Sequence, residues 1–157
     1  MKAKLYLETT IVSYLVARPS RDLIVAAHQE QTRNWWEQRR GDFDIRISQV
    51  VLDEAKIGEP QMAKKRLELL QPFPLLTINP ETVRLAEQLI RSGPLPAKAT
   101  RDATHIALSA IYGVHFLMTW NCAHIANAAM FGKMGEVCRA HGHTCPVICT
   151  PAELLAK

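Results

Sequence analysis

Glu8, Glu54, Asp102 and Asn121 lie far apart in the chain, yet all carry oxygen groups that suit a hard divalent cation. Three converging carboxylates repel one another and raise one another's pKa. Mg²⁺ or Mn²⁺ resolves that repulsion, because both take oxygen ligands. An ion so held activates water and stabilises charge on a phosphoryl oxygen, the chemistry of phosphodiester hydrolysis. Asn121 would add a neutral carbonyl oxygen. Taken singly, the acids have ordinary readings: Glu8 as a loop residue, Asp102 as a residue answering its helix dipole, Glu54 as a surface residue. The residue types alone leave both readings open.

The elements that must position these residues can be read from apolar patterning. Residues 4–7 form a short apolar run that ends at Glu8, the pattern of a buried parallel strand. Residues 9–16 read as a short helix, and Asp22 as the cap of a longer one through residues 36–39, closed by Gly41. Residues 43–47 form a second strand, and Ser48 caps a helix over 50–57. Pro60 opens a helix to residue 70, and 75–78 is a third strand. Asn79-Pro80-Glu81 starts a helix that Gly93 stops, and a loop over 93–97 follows. A helix over 99–112, a strand over 115–119, a helix over 124–140, a strand over 147–149 and a short helix over 151–155 complete the pattern. Strands alternating with helices predict an α/β fold, a parallel sheet covered on both faces. No repeat, low-complexity tract or linker interrupts the chain, so residues 1–157 read as a single domain.

In such sheets ligands gather beyond the carboxyl ends of the strands. Glu8 directly follows the first strand and Asn121 the fourth. Asp102 falls in the first turn of the helix before that fourth strand. Val50, Glu54 and Ile57 are spaced i, i+4, i+7 and share one helix face, which carries Glu54 inward. Gln49, Asp53 and Lys56 share a polar face, so Asp53 reads as solvated and paired with Lys56.

Composition bounds the partners. The chain has 157 residues, 48% hydrophobic and 22% charged, with net charge +4 and pI about 9.0. This is a globular composition whose mild basic excess permits a polyanionic partner. No run approaches the roughly 18 apolar residues of a membrane span. The N-terminal residues meet Glu8 before a signal-type apolar run develops, so a cytoplasmic location is expected, with the four cysteines as thiols. No Gly-rich phosphate loop or GxGxxG segment follows the first strand, which disfavours a nucleotide-binding enzyme.

Several other residues have competing readings. Lys98, at the mouth of the acidic pocket, is a candidate for phosphate contact; Arg101 reads as solvated surface. One of Trp35 and Trp36 is expected to join Ile24, Ala27 and Gln31 on a helix face that enters the core or a dimer contact. Cys138, His141, His143, Cys145 and Cys149 lack the CxxC spacing of a zinc site. His105 and His124 lie on helices flanking the acids and read as packing or hydrogen-bonding residues, with an outer-shell role open to His124.

The chain resembles PIN domains, and among them VapC-type toxins of type II toxin–antitoxin systems. The resemblance rests on residues 5–10, Leu-Tyr-Leu-Glu-Thr-Thr, and on Ser48 followed by Glu54. It continues through residues 102–107, Asp-Ala-Thr-His-Ile-Ala, and residues 119–121, Thr-Trp-Asn, with His124 soon after. It implies a three-layer sandwich with a five-stranded parallel sheet, and a Mg²⁺- or Mn²⁺-dependent ribonuclease. It also implies a homodimer and a small antitoxin that blocks the site. By position Glu8, Glu54, Asp102 and Asn121 take the four pocket places as catalytic and metal-binding residues. Thr10 matches a hydroxyl residue supporting the first acid. Glu8 and Asn121 stand where the family commonly has aspartates, so a second metal would be held less firmly. These two departures motivate the alternative of a catalytically weakened module that binds nucleic acid or protein.

Overall fold

A computed structural model describes residues 1–156. Strand β1 (Ala3–Leu7) is the centre of a five-stranded, all-parallel sheet. It pairs on one side with β2 (Phe43–Ser48), which carries β3 (Leu75–Leu76), and on the other with β4 (Phe116–Met118), which carries β5 (Val147–Cys149). The order is therefore β3-β2-β1-β4-β5, with Leu5 opposite both Ile45 and Phe116. Leu5, Tyr6 and Leu7 are wholly buried, because a central parallel strand is covered on both faces. Each fully buried aliphatic side chain there contributes about 1.5–3 kcal/mol.

The helices are α1 (Thr9–Val16), α2 (Leu23–Arg39), α3 (Gln49–Ala55), α4 (Pro60–Leu70), α5 (Pro80–Arg91), α6 (Thr100–Ile111) and α7 (Phe131–Ala140). They form an α/β arrangement consistent with a three-layer sandwich. Helix α1 packs against α2, α3 and α4, while α5 packs against α6 and α7. Helix α6 is internal through its second half: Ala103 and His105 through Ala110 are all buried. Local chemistry sets several boundaries. Asp22 accepts from the amides of Ile24 and Val25 at the start of α2, and Asn79 and Thr82 form a reciprocal cap on α5. Gly93, at φ +95°, follows the end of α5 in a conformation that L side chains rarely adopt. No helix among the described residues is long and apolar enough to cross a membrane.

Several local expectations change, among them the third strand, which spans only Leu75–Leu76 of the expected 75–78. The helix expected over 124–140 begins at Phe131, because Asn121 and Asn127 turn their side-chain carbonyls onto the amides of His124 and Ala129. Helix α3 ends at Ala55, so Ile57 lies beyond it and is exposed. The expected pairing of Asp53 with Lys56 gives way to a hydrogen bond from Gln49, and Asp53 is exposed as anticipated. Trp35 is buried, but its companions on the inner face of α2 are Gln29 and Thr32, while Ile24 is exposed.

Candidate metal centre

The strand order reverses at β1, and the crevice beyond the carboxyl ends of β1 and β4 is the position at which α/β sheets bind ligands. Glu8 occupies it. This residue is also the N-cap of α1, so the fold must bring its carboxylate back onto the chain. Its Oε1 accepts three hydrogen bonds: from the Thr10 amide at 3.1 Å, from the Thr10 hydroxyl, and from the Thr119 hydroxyl at 2.7 Å. Oε2 receives none. Glu8 as a whole is 3% exposed. Burial pushes the Glu8 carboxyl above its ordinary value, against the opposing influence of His105, Thr10 and Thr119.

Glu54 shows the same division of labour. Its Oε1 is held by the Thr9 hydroxyl at 2.7 Å and by His105 Nε2 at 2.7 Å, and its Oε2 receives no hydrogen bond from the described residues. Burial alone would raise this carboxyl. The hydrogen bond from His105, with that from the Thr9 hydroxyl and the nearby charge of Arg101, outweighs it and holds the group below the usual range. Glu54 reaches this position from the edge of α3, whose buried residues are Val51 and Ala55, and not from a Val50–Ile57 face. One ligand atom each from Glu8, Glu54 and His105 lies within 4.8 Å of the others.

Behind this group runs a buried chain of hydrogen bonds. His105 Nδ1 meets the Tyr6 hydroxyl at 2.6 Å, and that hydroxyl meets Ser48 Oγ at 2.7 Å. Ser48 stands at the N-cap position of α3 but makes no side-chain capping bond; its hydroxyl is turned to Tyr6 instead. Burial drives the Tyr6 phenol far above its ordinary pKa, and the nearby carboxylates add to the effect, so it remains protonated.

Asp102 and Asn121 belong to a neighbouring, connected group. Asp102 lies three residues before His105 on α6, one turn towards the helix N-terminus. Its Oδ2 lies 2.8 Å from His124 Nδ1, and its ligand atoms fall outside the 4.8 Å cluster. Asn121 Oδ1 accepts from the His124 amide at 3.1 Å, while the Asn121 amide donates to Thr119 Oγ1 at 2.9 Å. A continuous path thus links Glu8, Thr119, Asn121, His124 and Asp102. Asn121 holds the turn that brings His124 to Asp102. His124 itself sits in that turn and not on a helix. Thr10 supports Glu8 directly, and its hydroxyl also accepts from the Trp120 amide. Lys98 is exposed on the loop before α6. Arg101, read from sequence as plain surface, is near enough to Glu54 for its charge to lower that carboxyl.

The donor set fits a hard divalent cation. Two carboxylates each have one oxygen tied to protein donors and one left over, with Asp102 close in the chain to the third member of the cluster. Sequence reasoning missed Tyr6, Ser48, Thr9 and Thr119 as parts of the site and gave His105 no link to Glu54. A signal was present: a tyrosine inside an aliphatic, fully buried strand must find a hydroxyl partner, and a histidine at i+3 from Asp102 shares its helix face. No protein-family model matches the chain, and no curated protein matches its sequence.

Proposed function

We propose that this chain is a metal-dependent endoribonuclease of the PIN type, resembling the toxin of a type II toxin–antitoxin pair. The observation that carries the reading is the matched pair of carboxylates, Glu8 and Glu54, each with one oxygen locked and one unpartnered, at the switch point of a parallel sheet. Glu8 and Glu54 would hold Mg²⁺ or Mn²⁺, with Asp102 as a further carboxylate. A cation bound there supplies the positive charge that favours water attack on a phosphodiester and offsets charge on the phosphoryl oxygens.

The chain's own residues supply the rest. Thr10 and Thr119 fix the orientation of Glu8; Thr9 and His105 fix Glu54. Asn121 positions His124 against Asp102. Arg101, whose charge reaches Glu54, and Lys98, exposed on the loop before α6, would receive RNA phosphates. In-line attack leaves a 5′-phosphate and a 3′-hydroxyl. A homodimer, an RNA substrate, a cytoplasmic setting and a small inhibitory antitoxin belong to the same proposal.

The deciding experiment is Mn²⁺ titration of purified protein with a fluorogenic single-stranded RNA, with product ends mapped. Metal-dependent cleavage that is lost in Asp102→Asn supports the reading. A second reading, a module that binds RNA or protein without cleaving, draws on Asn121. It is neutral where a carboxylate would add charge, and its carbonyl already accepts from the His124 amide. RNA binding with no metal-dependent cleavage would favour this second reading.

A further inference from the structure

Glu8, Glu54 and His105 together have the make-up of a mixed oxygen–nitrogen metal site, in which His105 Nε2 would ligate the ion. The buried chain behind His105 argues otherwise. Ser48 is fully buried, and its hydroxyl has one hydrogen-bond partner, Tyr6. It is the blind end of the chain, so its hydrogen has one place to go, the Tyr6 oxygen. The Tyr6 hydrogen is then directed to His105 Nδ1, which must accept. A neutral ring that accepts at Nδ1 carries its hydrogen at Nε2, and that hydrogen points at Glu54 Oε1, 2.7 Å away. In this direction every hydrogen has an acceptor. In the reverse direction His105 donates from Nδ1 to Tyr6 and Tyr6 donates to Ser48. The Ser48 hydrogen is then left in the core with no acceptor, and the cost of stripping it of water goes uncompensated.

We infer that His105 is a positioning residue and not a metal ligand: the Ser48–Tyr6 relay selects the ring form whose Nε2–H holds Glu54 Oε1. The cation at this site is then bound by carboxylate oxygens alone. The inference rests on the metal-site reading above and specifies which atoms serve it. It withholds from the site the imidazole nitrogen that adds to Zn²⁺ and Co²⁺ affinity and leaves an oxygen set of the kind that suits Mg²⁺ and Mn²⁺.

Proton placement is tested on metal-free, RNA-free protein by ¹⁵N NMR of the histidine rings, with the His105 signals assigned from their loss in His105→Gln. The expected signature is a protonated Nε2 and an unprotonated Nδ1, retained in Ser48→Ala because Tyr6 still donates to the ring. An unprotonated Nε2, or hydrogens on both ring nitrogens, overturns the inference. Metal binding supplies the second readout, with Co²⁺ as the probe followed by visible absorption and thermal melting. His105→Gln keeps an N–H donor for Glu54 but has no imidazole. It is expected to bind Co²⁺ within about threefold of wild type with an unchanged spectrum, while His105→Ala binds about tenfold more weakly, as loss of outer-shell support does. A changed spectrum in His105→Gln would show imidazole on the ion, and full affinity in His105→Ala would show that the ring positions nothing; either overturns the inference. A wild-type protein that bound no cation would remove the metal reading, and the ring signature would still decide where the hydrogen sits.

Discussion

Replacing Glu8 by Gln separates the burden of a buried charge from its use. Gln keeps the shape, and its carbonyl can accept from Thr10 and Thr119 as Oε1 does now. It loses the negative charge and replaces the unpartnered Oε2 with an amide nitrogen. Burial holds the Glu8 carboxyl above its ordinary value. The folded protein therefore binds that proton more tightly than the unfolded chain, and the stability of metal-free protein falls as pH rises. The fall begins near the ordinary glutamate value, runs through the raised one and is complete above it. Below that window both states are protonated and Glu8 has no effect. Glu8→Gln removes the fall, so in EDTA at pH 8 the variant is expected to melt at or above wild type. With Mn²⁺ the order reverses. At a hundred times its dissociation constant, an ion bound by the folded state alone adds about 2.7 kcal/mol. For a chain of this size each kcal/mol moves Tm by about 2–4 °C, so wild type gains about 5–11 °C. Glu8→Gln is expected to gain less than half of that. Differential scanning calorimetry in EDTA and in Mn²⁺ at pH 5 and pH 8 gives all the required values. A variant less stable than wild type in EDTA at pH 8 would show that burial does not dominate at Glu8. An equal Mn²⁺ shift in both proteins would place the ion elsewhere.

Asp102→Asn is expected to lower Mn²⁺-dependent RNA cleavage at least about 100-fold with an unchanged circular dichroism spectrum, since it removes charge from the pocket but keeps its shape. Asp53→Asn, one residue before Glu54 but exposed and bonded only to Gln49, is expected to leave cleavage unchanged and stability within about 0.5 kcal/mol, measured by urea unfolding. Thr119→Val takes a donor from Glu8 Oε1 and an acceptor from the Asn121 amide, and is expected to destabilise by about 1–3 kcal/mol in the same unfolding assay. Lys98→Ala is expected to weaken single-stranded RNA binding and to reduce the slope of log affinity against log salt by about 0.7, the value for one phosphate contact, read by fluorescence anisotropy.

The architecture was legible in the chain because its signals are local. The apolar run ending at Glu8, the alternation of strands with helices, and the caps at Asp22 and Asn79 each depend on a few neighbouring residues, and all reappear in the structure. Where the reading drifted, the cause was also local but subtler. Asn121 and Asn127 carry side chains that compete with the backbone for hydrogen bonds, and an apolar count over 124–140 is blind to that competition.

The sequence by itself determined that Glu8 and Asn121 lie at one edge of the sheet, because the carboxyl ends of parallel strands line up on the same side. Strand ends brought Glu8 and Asn121 forward as candidates, while Glu54 and Asp102 came from their helix positions and the family resemblance, and the helix-face argument set Asp53 aside. Tertiary structure alone decided how those groups are used. Ser48, Tyr6 and His105 come from β2, β1 and α6, and no spacing along the chain reveals that their polar atoms join end to end. Whether a carboxylate oxygen is engaged or open, and whether Asn121 faces an ion or holds a turn, depends on donors contributed by distant segments. Hydrogen bonds are directional over about 3 Å, whereas sequence patterning resolves only which face of an element turns inward.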